Sequence, residues 1–388
     1  MAEMNFGVFQ KGDIVSAFCE EYQTKLDATI VEFRQQNQQA YVHFIKQDKR
    51  LDRWMDVGTL ERSMDSISNP TDERVLTRNQ RKQIEGSDEE DSVPNDCRQF
   101  EKIHKEVTKI RNVDQITIGS FTIRTWYFSP YPHPYHNMDH LYICEQCFHY
   151  FGTQQELLAH QSESRELCPP GREIYREGNV SIFELKGWRQ KVSCQCLCLL
   201  SKLFLDHKTL FYDVEGFIFY VLCECDQNGA HIAAYFSREL NSADGNILAC
   251  ITTLPPYQKK GYGRLLISLS YEIAKRLRRS GGPERPLSDL GKIAFHSYWR
   301  DTLLDLLNNR SAEIATLDDL VTLTAIDKND IIDTLKEFNY ITKVKGEYEL
   351  NFNKENTSAI SSQYDVSKAR KRIDPSLLIW LPGDDDRN

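Results

Sequence analysis

No apolar run in these 388 residues approaches the ~18 needed for a membrane span, so no crossing of a bilayer is expected. The first residues, Met-Ala-Glu-Met-Asn-Phe-Gly, lack a charged stretch followed by an apolar one, and no secretory signal is read there. No segment repeats, which sets aside a repeat architecture. A net positive charge is missing, since 57 acidic residues outnumber 48 basic ones: the net charge of −9 argues against the whole chain acting as a nucleic-acid coat, though it suits a basic polypeptide partner. Disulfides are not expected either. Eleven cysteines without a secretory signal imply a reducing compartment, with thiols free or metal-bound. What remains is a soluble, globular composition, 40% hydrophobic and 27% charged, long enough for two or three domains.

Three blocks follow along the chain. Residues 8–62 alternate short apolar stretches (13–18, 27–33 and 40–44) with polar turns, including the Gln/Asn-rich 35–39. Such spacing predicts a small β-barrel. Residues 63–112 are polar, and the run Glu-Gly-Ser-Asp-Glu-Glu-Asp-Ser at 85–92 is too acidic and apolar-poor to bury anything, so a linker is expected. Residues 113–383 mix strands and helices without a break, an α/β (α+β) pattern. Within them, 312–352 read as two helices and a hairpin, a winged-helix-like arrangement, with Asp327 capping the second helix, Asp330 three residues on, and Tyr348, Leu350 and Phe352 on one face. That second helix sets Asp330, Asp333 and Glu337 against Lys328 and Lys336, so it has no basic face for DNA and reads as a packing module.

The most informative segment is Leu-Pro-Pro-Tyr-Gln-Lys-Lys-Gly-Tyr-Gly-Arg-Leu-Leu at 254–266. It lies between a strand-like stretch (246–254) and a helical pattern (264–279). A loop of this kind aims backbone N–H groups at one point, and the following helix adds positive potential, which suits a phosphate. Gly261 and Gly263 leave room for a close ligand. The loop lacks the Gly-Lys-Ser/Thr of a Walker motif and the three spaced glycines of a dinucleotide-binding turn.

Cys144-x-x-Cys147 with His160 after twelve further residues has the spacing of a zinc finger, placed at 140–170. Cys194, Cys196 and Cys198 sit among leucines and read as packing, as do Cys223 and Cys225 on a strand. In the N-terminal block, Phe18 and Phe44 are expected in the core. Tyr22, Tyr41 and Trp54 are the aromatics available for a methyl-lysine cage; nucleic-acid binding is the other role open to such a barrel.

Several long motifs stand in register: Phe-Ser-Pro-Tyr-Pro at 128–132, Tyr-Ile-Cys-Glu-Gln-Cys at 142–147, Phe-Leu-Asp-His-Lys-Thr-Leu at 204–210, the 246–266 run, and Pro-Glu-Arg-Pro-Leu-Ser-Asp-Leu-Gly at 283–291. In this order they closely resemble the MYST family of histone acetyltransferases, over roughly residues 113–380. Lys-Arg-Leu-Asp-Arg-Trp at 49–54 is the stretch that most resembles the chromo-barrel domain found in some members. The resemblance implies an acetyl-CoA-binding N-acetyltransferase core with a mixed central sheet, and Gln258-x-x-Gly261-x-Gly263 as its pyrophosphate loop.

It also implies roles for particular residues. Glu284 would be the general base and Cys250 would lie beside the thioester. Ile251, Thr252 and Thr253 would meet the acetyl-pantetheine arm. Gln258, Lys259, Lys260, Gly261, Tyr262, Gly263 and Arg264 would meet the pyrophosphate, with Ser288 and Ser297 near the cofactor. Ser288 reads equally as the N-cap of a helix starting at Asp289. Lys208 would be a self-acetylated lysine. The family's fourth zinc ligand is a cysteine four residues after the histidine; here that position is Ser164, and Cys168 is the expected substitute, completing Cys144, Cys147, His160 and Cys168. The implied partners are histone tails and nucleosomes, within a multisubunit chromatin complex in the nucleus. Ser164, and Gly216 where the family usually has proline, keep a second reading open: an inactive paralogue serving as a chromatin scaffold.

Overall fold

The structure is a computed structural model that describes residues 9–63, 108, 110–164, 166–208, 211–310, 314–344, 347–351 and 371–383. The acidic run at 85–92, nearly all of the expected linker, Thr209, Leu210, the turn at Lys345 and Gly346, and Phe352 lie outside the described residues. The chain divides into two compact units, residues 1–114 with 124–139, and 115–123 with 140–388.

Period-two alternation builds the N-terminal sheet from β1 (Ile14–Cys19), β2 (Thr24–Arg34), β3 (Gln39–Phe44), β4 (Arg53–Asp56) and β5 (Glu61–Arg62), ordered β4-β3-β2-β1-β5 and antiparallel. Val15, Ala17 and Cys19 of β1 face inward and close one core with Ile30, Val42 and Phe44. The same alternation turns Phe18 to the opposite face, where it is 42% exposed. The expectation that Phe18 is buried is therefore corrected, whereas Phe44 is fully buried. Tyr41 is buried as well, with its ring edge-on to Trp54 at 5.2 Å. The Arg34 guanidinium lies 4.5 Å over the Trp54 ring.

Four short strands follow, β6 (Val113–Ile118), β7 (Phe121–Arg124), β8 (Met138–Ile143) and β9 (Tyr150–Phe151), in the order β7-β6-β8-β9. Helix α1 (Gln154–Glu163) starts at a reciprocal cap in which Thr153 accepts from the Glu156 N–H and Glu156 accepts from the Thr153 N–H.

The central sheet of the second unit is β10 (Arg172–Glu177), β11 (Val180–Lys186), β12 (Phe217–Asp226), β13 (Gly229–Glu239) and β14 (Cys250–Thr253), in that order and antiparallel. Its middle strands are nearly continuous apolar runs, because both faces are covered. Helix α2 (Lys191–Lys202) packs against β11, and α3 (Tyr262–Arg276) packs on β13 and β14. Leu265, Leu266, Leu269 and Ile273 recur at helical spacing and form the buried face of α3. Helix α4 (Asp289–Asn309) crosses α3, with Trp299 Nε1 donating to the Tyr271 hydroxyl at 2.7 Å.

Helices α5 (Leu317–Thr324) and α6 (Lys328–Lys336) lead into the hairpin β15 (Ile341–Val344) and β16 (Glu347–Leu350). Asp327 caps α6 by accepting from the Asn329 N–H. Asp330 does not serve that cap: it is buried and bonded to Arg285. The last described segment is strapped to the sheet. Arg276 donates to the carbonyls of Leu378, Trp380 and Pro375, and the buried Trp380 indole donates to Glu184 at 2.7 Å.

Candidate active site and metal centre

Where β14 begins, the chain makes a second, parallel contact outside the five strands, a bridge between Leu248 and Pro283. Ile247 N–H donates to the Gly282 carbonyl and Glu284 N–H donates to the Leu248 carbonyl at 2.8 Å. The approach requires glycine at 281, since a Cβ there would stand 2.3 Å from the Gly245 carbonyl oxygen. Backbone pairing thus sets Glu284 beside the strand that carries Cys250.

Both residues line one cleft of about 140 Å³, together with Lys208, Ile251 and Ser288. Lys208 Nζ lies 3.6 Å from Cys250 Sγ. Lys208 is buried: desolvation presses its ammonium toward neutrality, while Tyr235, Cys250 and Cys198 act the other way, and the balance holds its pKa up. Glu284 titrates above the usual carboxylate range, first because of burial and then because of the Glu239 carboxylate; Lys208 opposes this and Asp244 adds to it. On the far side of Glu284, Arg285 is tied to Asp330, whose own carboxyl burial pushes up to about 6. A larger hollow of about 490 Å³, lined by Arg238, Ser242, Ser270 and Arg279, holds none of the sequence-predicted residues.

The loop after β14 has the geometry of an anion site. Gly261 adopts φ +84° as the N-cap of α3 and brings no side-chain cap, so the first N–H groups of the helix are left for another acceptor. Lys259 is also left-handed, at φ +62°. Gln258 Nε2 donates to the Thr253 carbonyl at 3.1 Å and fastens the loop to β14, which is an edge strand of this sheet among the described residues. Lys260 pairs with Glu224 at 2.8 Å, and Tyr262 bonds the same carboxylate. Arg264 turns into the protein, with Nη2 3.0 Å from Asp301 and Nη1 3.3 Å from the Ser297 hydroxyl. From Arg264, therefore, the backbone faces the loop while the guanidinium anchors α4. Ser288 caps α4 by accepting from the Gly291 N–H at 3.1 Å, and it lines the cleft as well.

Cys144, Cys147 and His160 bring their ligand atoms within 4.8 Å of one another. A tight knuckle makes this possible: the Phe148 N–H donates to the Cys144 carbonyl, and the Cys144 N–H donates to the His149 carbonyl, both at 2.9 Å. The hydrogen bond from Cys147 favours the Cys144 thiolate. Two thiols and an imidazole are a donor set that fits zinc.

Cys168 is not in the group, which corrects the expected fourth ligand. It is exposed, and its neighbours are Glu166, Glu173 and Cys225. The cause is the Leu167 carbonyl, which accepts from the Ala230 N–H at 2.7 Å and carries this segment to the β12–β13 end. Ser164 ends α1, its hydroxyl accepting from the Glu166 N–H. Cys194, Cys196 and Cys198 are buried in α2, and burial raises all three thiols.

Sequence reading missed the cation beside Cys250, because Lys208 is 42 residues away and only the folded sheet joins them. It also missed the Arg285–Asp330 pair and Lys371, whose ammonium lies 4.3 Å over the Tyr262 ring, next to the phosphate-type loop. Neither contact has a local signal. A Cβ at Gly216 would meet nothing within 4 Å, so the open space there tolerates a larger residue. Among the described residues no helix is long and apolar enough to cross a membrane.

Comparison with known proteins places these features. The sequence pattern of the MOZ/SAS family matches residues 168–378, that of the MYST family zinc finger domain residues 110–163, and that described as the RNA binding activity-knot of a chromodomain residues 11–62. The chain is 40% identical over 361 residues to histone acetyltransferase of the MYST family 2 of Arabidopsis thaliana, covering 90% of this chain and 79% of that one. It is 42% identical over 316 residues to histone acetyltransferase of the MYST family 1 of the same plant, covering 79% and 70%. To histone acetyltransferase ESA1 of Saccharomyces cerevisiae it is 45% identical over 279 residues, 71% of this chain and 62% of that protein.

Proposed function

Since the chain belongs to the MYST family of acetyltransferases, we propose that it carries acetyl from acetyl-CoA to lysine ε-amines of histone tails. The observation that carries this reading is the cleft shared by Glu284, Cys250 and Lys208. A substrate lysine arrives as an ammonium ion, with a reference pKa of ~10.4. Glu284 takes one proton, and a pKa raised by burial makes it a stronger base than an ordinary carboxylate. The freed amine attacks the thioester carbonyl; the C–N bond forms, the C–S bond breaks, and the nitrogen gives up its second proton as CoA leaves as a thiolate that takes up a proton.

The sheet edge at Ile251, Thr252 and Thr253 supplies backbone groups to the pantetheine arm. Gln258 braces the loop, and the N–H groups from Lys259 to Arg264 hold the pyrophosphate. Ser288 and Ser297 flank this path, each also bonded within the protein.

Lys208 is the proposed site of self-acetylation. Its ammonium lines the same cleft, 3.6 Å from Cys250 Sγ and with no carboxylate within 4.0 Å among the described residues, so it stands where the acetyl group would be delivered and no ion pair ties it down. Acetylation removes the charge. Peptide mapping of active protein is expected to find Lys208 carrying one acetyl group, and only unmodified Lys208 in fully active protein would count against it.

Acetylated Lys208 also leaves Cys250 without its cation, which favours direct attack by the amine over an acetyl-cysteine route. With labelled acetyl-CoA and a histone-tail peptide, label is expected on peptide lysine. Cys250→Ser should keep the rate within about tenfold, since no general acid–base step is lost. Cofactor binding without transfer would remove the enzymatic reading, and acetyl trapped on Cys250 would replace the direct mechanism.

Zinc at Cys144, Cys147 and His160 would join the β8–β9 knuckle to α1 and add folding free energy there. We read 8–62 as a chromatin-directed barrel, 63–112 as a linker and 113–383 as the catalytic domain, acting on nucleosomes in the nucleus within a larger complex. With Tyr41 buried and Arg34 lying over Trp54, nucleic acid is favoured over methyl-lysine as the barrel's ligand.

A further inference from the structure

The cluster at Cys144, Cys147 and His160 is one ligand short of a closed tetrahedral zinc site. A serine stands at the family's cysteine position, and the cysteine eight residues after His160 is held elsewhere. One further donor stands against the group. His149 Nδ1 lies 3.2 Å from Cys147 Sγ, the same separation as His160 Nε2 from that sulfur. Zinc bonds of about 2.3 Å to sulfur and 2.0–2.1 Å to nitrogen, opened to a tetrahedral angle, set ligand atoms about 3.5 Å apart. Both histidines stand near that separation from Cys147.

The rings of His149 and His160 lie 6.1 Å apart, tilted by 35°. The backbone of His149 is already part of the knuckle, since its carbonyl accepts the Cys144 N–H, and the next residue pairs in the hairpin, Tyr150 with Ile143. His149 falls outside the 4.8 Å that spans the other three donor atoms, so binding there requires its side chain to move toward them. The competitors lack such placement: Ser164 Oγ is engaged by the Glu166 N–H and is a poor zinc donor, and Cys168 is turned to β12.

We propose that His149 is the fourth ligand, making the centre Cys144, Cys147, His149 and His160 rather than three sulfurs and one nitrogen. Both cysteines then bind as thiolates and both imidazoles bind neutral. The proposal rests on the reading that this finger holds zinc.

Metal analysis of the purified full-length chain tests that reading first: one zinc per chain is expected, and a metal-free protein whose melting does not respond to chelator ends both. The assignment is tested separately by chelator competition. His149→Ala should weaken zinc binding by more than about 100-fold, beyond the loss typical of outer-shell partners, while Cys168→Ser leaves it unchanged. Adding Ser164→Cys to His149→Ala should restore affinity, which separates a lost ligand from a misfolded finger. Cobalt substitution reads the donor set directly: sulfur-to-cobalt charge transfer should have the intensity of two thiolates in the natural chain and of three in the double variant. Zinc bound by wild type but lost in Cys168→Ser, or held unchanged in His149→Ala, overturns the assignment.

Discussion

Glu284→Gln is expected to cut acetyl transfer to a histone-tail peptide at neutral pH by about 10²- to 10⁴-fold, the usual contribution of a positioned base. Glutamine keeps the shape, and the Glu284 N–H to Leu248 carbonyl bond is unaffected, so acetyl-CoA affinity should not change. The pH profile provides the sign. A base works only when deprotonated, so wild-type kcat/KM rises with pH through the Glu284 titration. That limb lies above the ordinary carboxylate range, because burial and Glu239 destabilise the ionised form. The variant should lose this limb and recover rate only as the substrate amine deprotonates in solution, toward ~10.4. Full activity of Glu284→Gln at neutral pH would assign the proton to another group.

The second large effect is expected at Gly261→Val, with acetyl-CoA binding weakened by about 10- to 100-fold. At φ +84° a β-branched residue is strained, by roughly 1–2 kcal/mol for the left-handed region alone, while its Cβ would only touch the Lys371 side chain, at 3.4 Å. The turn relaxes by rotating its N–H groups off their common target. Each hydrogen bond to a charged acceptor contributes about 1.5–3 kcal/mol, and ~1.4 kcal/mol is tenfold in affinity, so one such bond lost accounts for the effect. Gly263→Ala is the control: its φ is ordinary and the new Cβ would meet only Thr253 Oγ1, at 3.6 Å, so the fold should keep its melting temperature. Calorimetric titration with acetyl-CoA decides it; an unweakened Gly261→Val would mean that the loop does not hold the cofactor.

The local backbone at these two positions was legible because it is written contiguously, whereas the roles expected of them came from the family resemblance. A glycine at a strand-to-helix turn, and a glutamate between Gly-Gly-Pro and Arg-Pro, constrain the backbone where they stand. The caps at Thr153, Ser288 and Asp327 are local for the same reason. The Cys-x-x-Cys knuckle was equally readable, because its hydrogen bonds close within six residues.

Local spacing failed where a segment's neighbours lie far along the chain. Cys168 follows His160 closely enough to suggest a loop back to the metal, yet one bond from Ala230 holds Leu167 at another hairpin. Phe18 was misplaced because a one-residue change of phase exchanges the two faces of a strand, and the Val15, Ala17 and Cys19 set decided the phase.

The sequence by itself determined the family, through several motifs in register, and the local backbone of the 258–263 loop, the turn that carries Glu284 and the Cys-x-x-Cys knuckle, since each of these is a short run whose geometry follows from its own residues. Only the tertiary structure set Lys208 against Cys250 and Arg285 against Asp330, and drew Cys168 away from Cys144, Cys147 and His160. Those meetings depend on which strands pair and where side chains turn, and nearest-neighbour chemistry does not encode that.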